Sequence, residues 1–293
     1  MSAARKSPTR DGLHTLQIPR WQSIPWLVHG FSTRAGGVTR AFRTDRATGE
    51  LNLGASKSDT AANVARNRRL FLTELDTARM KLATLRQIHS GVVREVSAAQ
   101  KEPLRGDGLI TQHAGLLLGI QTADCVPILL IDPDNRTVAA FHAGWRGTVK
   151  RIVERGVGLM RMRYGSRPEK LLAALGPCIG ACCYSVGEEV VSEFHSQFRY
   201  SAELFREVYD LDPVKQKYPM LFLTARAPGH SNLGPQTHLD LVEANRRQLL
   251  DAGLKKKNIW SSGECTACNP EKYFSHRGEH GFTGRMMAVV GIR

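Results

Sequence analysis

The sequence lacks a hydrophobic run long enough to cross a membrane. Its longest apolar stretch, Leu116–Ile131, is interrupted by Asp124 and Pro127 and falls short of the roughly 20 apolar residues that a membrane helix needs. The first 20 residues are basic but have no apolar segment behind the charges, so they do not resemble a secretory signal. We therefore expect a cytoplasmic protein with no membrane partner and with a flexible basic N-terminus over residues 1–20.

Cysteines and aromatic side chains are also scarce. The six cysteines among 293 residues are too few for a disulfide scaffold, so we expect free thiols, metal ligands or a nucleophile. Only 7% of the residues are aromatic, which leaves few rings on which nucleic-acid bases would stack. The net charge of +14 raises the question of a polyanionic partner. Because no nucleic-acid-binding motif accompanies that charge, we expect no nucleic-acid partner.

Short apolar runs predict a fold rich in strands. Seven of these runs have strand length, and they are residues 82–88, 92–96, 116–121, 126–131, 137–141, 171–175 and 288–292. Strands and helices do not alternate strictly, so we expect an α+β fold, a mixed-sheet layered sandwich in a single domain, rather than a doubly wound parallel sheet. Residues 196–236 contain four prolines, and we expect them to form an irregular excursion.

Three helices are predicted from capping residues and apolar periodicity. The first follows Asp59, which we expect to be its N-cap. The second has an apolar stripe that begins at Val149 and an opposite face rich in lysine and arginine. The third is opened by Thr237 and Asp240, which resemble a capping box, and is closed by Gly253. The basic face of the second helix accounts for much of the excess positive charge.

Three residues each end a strand-like run at a turn, namely His89, Cys125 and His142. Two imidazoles and one thiol are a ligand set that suits zinc, with copper as a second candidate. Three protein ligands leave a fourth position open, as in catalytic zinc sites. From spacing alone two other interpretations stay open. These residues are ordinary packed side chains, or Cys125 is a nucleophile with a histidine as its base.

Eight blocks of sequence resemble the YfiH/LACC1 family, once labelled multicopper polyphenol oxidase or laccase domain and now described as purine nucleoside phosphorylase. The blocks follow the family's order over nearly the whole chain from His29 onwards. They are HGFSTRAGG (29–37), NLG (52–54), RQIHSGVV (86–93), GDGLIT (106–111), QTADCVPILL (121–130), AAFHAGWRGT (139–148), LGPCIGACCYSVGEEV (175–190) and FTGR (282–285).

The resemblance implies a CNF1/YfiH-like fold, with a domain of this family over residues 21–293. It also implies a metal held by the histidine of RQIHSG, the cysteine of TADCVP and the histidine of FHAGWRG, which are His89, Cys125 and His142. The implied activities are phosphorolysis of adenosine, inosine and S-methyl-5'-thioadenosine to the free base and ribose 1-phosphate, and deamination of adenosine. On this basis we expect a zinc enzyme, with copper as an alternative metal, that binds purine nucleosides and phosphate as a monomer or homodimer.

Phosphorolysis needs a pocket for a dianion, and arginines in glycine-rich turns suit it because the guanidinium fork pairs with two oxygens. The candidates are Arg34, Arg146 and Arg285, each of which is alternatively a solvated surface arginine. For deamination, Asp124 beside the candidate ligand cysteine is either a catalytic proton shuttle or a turn-capping residue. Where the family often has Ser-Tyr-Arg-Arg, this chain has His276 after the serine, and we treat it as a candidate contact to substrate or metal.

Two alternative activities stay open. The older family name implies a copper-dependent polyphenol oxidase, but none of the ten histidines lies two residues from another. The His-x-His pairs typical of multicopper centres are therefore missing. The other alternative is a cysteine-type hydrolase or amidase that edits a peptidoglycan precursor, with Cys125 as the nucleophile.

A second group of cysteines has metal-ligand spacing. Cys265 and Cys268 form a C-x-x-C pair, and Cys178, Cys182 and Cys183 are candidate partners for a structural zinc. A lone C-x-x-C is more often a pair of packing thiols, so spacing favours the packing interpretation.

Overall fold

The computed structural model describes residues 12–43, 49–209 and 235–293. In this part of the chain two six-stranded sheets pack face to face, and helices cover their outer faces. The predicted α+β fold with mixed sheets in layers is therefore confirmed. Among the helices in these three ranges, none has both the length and the apolar character to cross a membrane.

The first sheet consists, in spatial order, of β1 (Thr15–Leu16), β2 (Leu27–Ser32), β16 (Met286–Ile292), β9 (Leu116–Thr122), β5 (Lys81–Arg86) and β7 (Leu104–Arg105). Its central strands β2, β16 and β9 pair antiparallel. Strand β5 runs parallel to both of its neighbours, β9 and β7. The sheet is therefore mixed.

The second sheet consists, in spatial order, of β15 (Ile259–Ser261), β12 (Leu172–Leu175), β10 (Val126–Asp132), β11 (Thr137–Ala143), β8 (Gly108–Thr111) and β6 (Val93–Glu95). Strands β10 and β11 form an antiparallel hairpin in its centre, and β12 and β15 run parallel to each other at one edge. Two small two-stranded sheets pair β3 (Ala35–Gly37) with β4 (Gly49–Glu50), and β13 (Phe205–Val208) with β14 (Gln236–Leu239).

The main core lies between the two large sheets. Leu129 and Ile131 of β10 point into it, and they pack with apolar residues of the first sheet such as Ile120 and Val290. The intervening Leu130 faces the helices on the other side. Because successive strand residues point to opposite faces, a strand that is buried on both faces has to be apolar throughout, which is why β10 appears in the sequence as one continuous apolar run.

Five α-helices of the described residues cover the sheets, namely α1 (Ala61–Glu74), α2 (Trp145–Val149), α3 (Ile152–Tyr164), α4 (Glu188–Gln197) and α5 (Leu241–Asp251). Helix α1 packs Phe71 against Leu117 and Val289 on the outer face of the first sheet. The other four pack on the outer face of the second sheet. The order of layers is therefore helix, sheet, sheet and helices.

The start of α1 differs by one residue from the sequence-based expectation. The N-cap is Thr60, whose side chain accepts a hydrogen bond from the Asn63 N–H. The neighbouring Asp59 instead accepts from the side chains of Thr39 and Asn52. Both residue types cap helices well, and here the carboxylate is used to hold the β3–β4 region.

The predicted basic helix is two helices. The Arg151 backbone has φ 56°, in the left-handed region, and this separates α2 from α3. At the start of α5, Asp240 is the N-cap and accepts from the Glu243 N–H, while Thr237 lies in β14 rather than in a capping box.

Two predicted irregular segments contain regular structure. Strand β1 lies within the predicted flexible segment 1–20 and pairs with β2, so residues 12–20 belong to the fold because their backbone bonds extend the first sheet. Strands β13 and β14 lie within or at the edge of the predicted excursion 196–236. Residues 1–11 and 210–234 lie outside the described residues.

Candidate functional site

The folded chain brings His89, Cys125 and His142 together at one end of the sandwich. Cys125 directly precedes β10, and His142 is the penultimate residue of β11, opposite Pro127 in the hairpin. His89 lies in the turn that follows β5 of the other sheet. Ends of strands from both sheets therefore meet at one place, as the position of each residue in the sequence predicted.

The three side chains form a compact group with one open side. Their candidate ligand atoms all lie within 4.8 Å of one another. Cys125 Sγ is 4.0 Å from His89 Nε2, and the two imidazole rings meet edge to face with centroids 4.8 Å apart. His142 is buried, Cys125 is half-buried and His89 is exposed, so the group is reached from solvent on the His89 side.

A buried carboxylate, Asp107, holds this group in place. Its oxygens accept hydrogen bonds from the N–H groups of His89 and Ser90 and from the Ser90 hydroxyl. Asp107 Oδ1 also lies 2.9 Å from His142 Nδ1. In the neutral imidazole this contact places the proton on Nδ1 and leaves the Nε2 lone pair for a metal, which is the arrangement of metal-bound histidines. Sequence analysis missed Asp107, although the GDGLIT block contains it.

The backbone around the group is unusual in two ways. His89 and Asp124 have positive φ angles of 55° and 90°. Residues other than glycine adopt positive φ at an energetic cost, and such strained residues cluster at functional sites. Gly144 is needed for space, because a Cβ at that position would lie 2.9 Å from Cys125 Sγ and 3.1 Å from His89 Cδ2. The glycine of HAGWRG therefore lets two candidate ligands approach the turn after β11.

The electrostatics favour a thiolate at Cys125. Burial alone would raise the pKa of this thiol, but His142 and His89 outweigh burial and lower the pKa below its ordinary value. Burial alone would lower the pKa of His142, whereas Cys125 and Asp107 raise it. The thiolate is the form of cysteine that binds a metal and also the form that attacks a carbon, so this charge state serves either chemistry.

A cleft of about 630 Å³ opens beside the group, within the size range of small-molecule sites, roughly 300–1,000 Å³. Three arginines line it, namely Arg68 of α1, Arg86 at the end of β5, and Arg285. Gly54 lets the cleft wall pack closely, because a Cβ there would lie 2.6 Å from Arg285 Cβ. Sequence analysis missed Arg68 and Arg86. Arg86 opens the RQIHSG block, whereas no local signal marks Arg68.

Of the three arginines predicted to contact phosphate, only Arg285 lines this cleft. Arg34 is fully buried, with Nε donating to Glu50 at 2.5 Å and Nη1 donating to Glu279 at 2.7 Å. Because its guanidinium pairs with these two buried or half-buried carboxylates, Arg34 has a structural role. This corrects the prediction that Arg34 contacts phosphate. Arg146 is exposed near the start of α2, where its guanidinium lies 4.1 Å over the ring of its neighbour Trp145, outside the cleft lining.

His276 lines the cleft, whereas Asp124 holds a loop. The Asp124 carboxylate accepts hydrogen bonds from the hydroxyls of Thr266 and Ser275 and from the Arg277 N–H. These bonds tie the segment 266–277, which includes His276, to the residue before Cys125. Of the two interpretations of Asp124, the structure favours the turn-holding one over the proton shuttle.

The residues present fit a single metal ion. The donor set of two imidazoles and one thiolate is chemically suited to zinc, and the carboxylate of Asp107 behind His142 is the partner that metal-bound histidines usually have. The open side toward the cleft leaves room for a fourth ligand. A metal centre at these residues therefore agrees with both the donor chemistry and its surroundings.

Comparison with known proteins gives a consistent relationship. Residues 28–293 match the model of a family described as multi-copper polyphenol oxidoreductase laccase. A protein from Deinococcus radiodurans named purine nucleoside phosphorylase is 37% identical, over 97% of this chain and 95% of its own length. A protein named adenosine deaminase RL5, from an unknown prokaryotic organism, is 34% identical over 85% of this chain and 88% of its own length.

The fold is shared with a solved structure. The crystal structure of the Bacillus licheniformis hypothetical protein YfiH superposes with a TM-score of 0.79 at 28% sequence identity, and it covers 98% of this chain and 99% of that one. The predicted resemblance to the YfiH/LACC1 family is thus confirmed in sequence and in fold.

Proposed function

This chain belongs to the multi-copper polyphenol oxidoreductase laccase family, and on that premise we propose that it is a zinc-dependent purine nucleoside phosphorylase with adenosine deaminase activity. The proposed substrates are adenosine, inosine and S-methyl-5'-thioadenosine together with phosphate. The observation that carries the proposal is the His89–Cys125–His142 group, which opens into an arginine-lined cleft. Two relatives support it, since one is named purine nucleoside phosphorylase and another adenosine deaminase.

The cleft has the charge that phosphorolysis requires. In that reaction a phosphate oxygen attacks the anomeric carbon of the ribose, and the purine leaves with the electrons of the glycosidic bond. Arg285, Arg68 and Arg86 line one cleft, and their guanidinium groups are suited to hold a dianion beside the sugar. In the proposed mechanism they position phosphate and neutralise part of its charge.

The leaving purine and the leaving amine both need a proton. His276 is an imidazole in the cleft lining outside the candidate ligand set, and we assign it the role of proton donor. Asp107 would keep the proton of the neutral His142 ring on Nδ1, so His142 would hold a metal through Nε2. When bound at the three ligands, zinc would lower the pKa of a bound water to about 7, or polarise a substrate oxygen.

One specific observation favours a second candidate. Cys125 is flanked by His142 and His89, and its thiol pKa is lowered, which also suits a cysteine-type hydrolase or amidase acting on a peptidoglycan precursor. Copper-dependent polyphenol oxidation has less support. The described residues contain two candidate metal groups, one of which has two histidines and the other none, whereas a multicopper centre needs many imidazoles.

The test is a nucleoside panel with and without phosphate. We expect release of free base and ribose 1-phosphate from the three nucleosides only when phosphate is present, and release of ammonia from adenosine without it. Chelation should abolish both activities, and added zinc should restore them. Cys125→Ala should lose turnover and the metal held with His89 and His142, whereas Cys178→Ala, which alters a buried thiol of the core, should keep both.

Three results would contradict the proposal. The first is turnover of nucleosides by Cys125→Ala with the same metal content as the unaltered protein, and the second is no turnover of any nucleoside by the zinc-loaded protein. The third is hydrolysis of peptidoglycan-type amides that survives chelation, which would establish the cysteine hydrolase instead, since a thiol nucleophile does not need the metal.

A further inference from the structure

We propose that this protein has a second metal site, in which Cys182, Cys183, Cys265 and Cys268 hold a structural zinc ion. This group lies outside the set of residues that lines the active-site cleft. It does not depend on the proposed enzymatic activity. The proposal rests on the geometry of the four sulfurs, on the topology that brings them together and on the contacts around them.

The sulfur atoms have the spacing that one zinc ion requires. All four Sγ atoms lie within 4.8 Å of one another, and Cys268 Sγ is 3.4 Å from Cys182 Sγ and 3.3 Å from Cys183 Sγ. Four sulfurs at about 2.3 Å from a tetrahedral zinc ion would be about 3.8 Å apart. The observed separations lie around that value.

The fold brings the two cysteine pairs to the same edge. Strands β12 and β15 are parallel neighbours in the second sheet, so the segments that follow their carboxyl ends leave the sheet side by side. Cys182 and Cys183 lie in a turn after β12, and Cys268 lies in a turn after β15 that directly follows Cys265. An isolated backbone β-bridge pairs Cys178 with Cys265 and joins the two segments directly. Both cysteines are free thiols.

The local contacts favour a thiolate at one of the four cysteines, Cys265, and keep the sulfurs close together. The Gly180 N–H donates to Cys265 Sγ at 3.2 Å, a backbone contact that stabilises a charged sulfur. Gly180 also leaves room for the sulfurs, because a Cβ there would make tight contacts of 3.1 Å with Cys182 Sγ and 3.3 Å with Cys265 Cβ. Two of the four cysteines are exposed, so a metal ion can reach the site from solvent.

Other uses of the four thiols fit less well. Cys268 is almost equidistant from two sulfurs, so the geometry selects no single disulfide partner. An iron–sulfur cluster would place its own iron and sulfide atoms between the cysteines and would need a wider group. The fifth neighbouring cysteine, Cys178, is buried in the apolar core instead and is not a ligand in this proposal.

The site would act as a clamp for the active centre. It joins the turn after β12 to the segment that contains Thr266, whose hydroxyl donates to Asp124 at 2.6 Å. Asp124 directly precedes Cys125. A metal ion at the four cysteines would therefore fix a segment that positions a catalytic-site residue, although the ion itself would not contact substrate.

Metal analysis of purified full-length variants, kept under reducing conditions, tests the proposal. In a Cys125→Ala background, which removes a ligand of the first site, we expect one zinc per chain. Adding Cys182→Ser and Cys268→Ser should reduce the zinc content to zero. Adding Cys178→Ala instead should leave it at one, because that matched change removes a nearby thiol that is not a ligand. A chelator should lower the melting temperature of the Cys125→Ala protein but not that of the variant without the four-cysteine site.

A spectroscopic measurement keeps the test decisive if the serine variant does not fold. Cobalt-loaded Cys125→Ala should show the intense sulfur-to-metal absorption of a four-thiolate site. A metal-free Cys125→Ala protein would overturn the proposal. So would iron in place of zinc, cobalt spectra without thiolate absorption, or a disulfide among the four cysteines found by alkylation and mass spectrometry of the reduced preparation.

Discussion

Replacement of Asp107 by asparagine should separate the positioning of the metal ligands from general stability. The Asp107 side chain is fully buried and accepts hydrogen bonds from the backbone of residues 88–90, from the Ser90 hydroxyl and from His142 Nδ1. Asparagine has the same shape but only one acceptor oxygen. Whichever way the amide turns, its NH₂ group faces a donor that the carboxylate had satisfied.

The size of the effect follows from these bonds. If the amide nitrogen replaces Oδ2, it faces the Ser90 N–H, which lies 2.6 Å from that oxygen. If it replaces Oδ1, it faces His142 Nδ1 and favours the tautomer with the proton on Nε2, which cannot bind a metal through Nε2. Hydrogen bonds to charged groups contribute about 1.5–3 kcal/mol each, so we expect a loss of about 3 kcal/mol in the free energy of unfolding. Carboxylates behind metal ligands typically contribute 10–100-fold to metal affinity or activity, and we expect a loss of that size in both.

Asp132→Asn is the matched control. Asp132 is also fully buried and accepts from the N–H groups of Asp134 and Asn135 and from the Asn135 side chain. It ends β10 at the far end of the hairpin from Cys125, about 23 Å away at roughly 3.3 Å per residue. Its loss should destabilise the protein to a similar degree without changing zinc affinity.

Three measurements on both variants are needed, namely urea unfolding, zinc affinity by competition with a chelator, and steady-state nucleoside phosphorolysis. The reasoning would be refuted if Asp107→Asn bound zinc within about two-fold of the unaltered protein. It would also be refuted if the two variants lost zinc affinity equally, since the effect would then be one of general destabilisation.

Three further predictions concern other parts of the molecule. Gly144→Ala should weaken zinc binding at least about ten-fold because its Cβ would contact Cys125 Sγ. The control is Gly187→Ala, at a helix N-cap with an extended backbone and open space, which should cost only about 1 kcal/mol of stability. Equal zinc affinities of the two variants would contradict this prediction. Burial lowers the pKa of His29 from 6.5 to about 4, so between these pH values the unfolded chain binds more protons than the folded one. The free energy of unfolding should therefore fall by about 2 kcal/mol from pH 7 to pH 5. His29→Gln should reduce this pH dependence in urea unfolding, and an unchanged pH dependence would show that His29 is not its source. Arg285→Lys should raise the KM for phosphate about ten-fold, since lysine lacks the guanidinium fork, and should leave the KM for nucleoside nearly unchanged; the reverse pattern would place Arg285 at the nucleoside.

From the sequence we predict the candidate ligand group, but not the residues that surround it. His89, Cys125 and His142 are recognisable because each ends an apolar run of strand length, and strand ends are where a sheet brings side chains together. Asp107 has no such signal, because its local sequence is that of an ordinary turn aspartate although its carboxylate accepts from five donor groups. Its role depends on donors supplied by a loop and a strand from other parts of the chain.

Arginines show the same limit more sharply. Arg34 and Arg285 both occur in glycine-containing turns, and both look suited to phosphate. The difference between them is tertiary, because Glu50 and Glu279 reach Arg34 from 16 and 245 residues away, whereas Arg285 meets the cleft. In the same way, the strands and layers follow from local apolar patterns, but the helix cap does not. Asp59 accepts from the side chains of Thr39 and Asn52 near β3 and β4, and Thr60 is therefore the N-cap.

The candidate active centre is shaped by carboxylates as well as by its candidate ligands. Asp107 holds the His89 turn and the His142 ring, and Asp124 holds the segment with His276. Each of these aspartates accepts from donors in distant parts of the chain, so the ligand atoms are positioned by hydrogen bonds that do not involve a metal. A site organised in this way loses little conformational entropy when a metal binds. Removal of zinc should therefore abolish activity while leaving the fold around His142 intact, which is the opposite of what we expect at the four cysteines, where the metal itself would join the two turns.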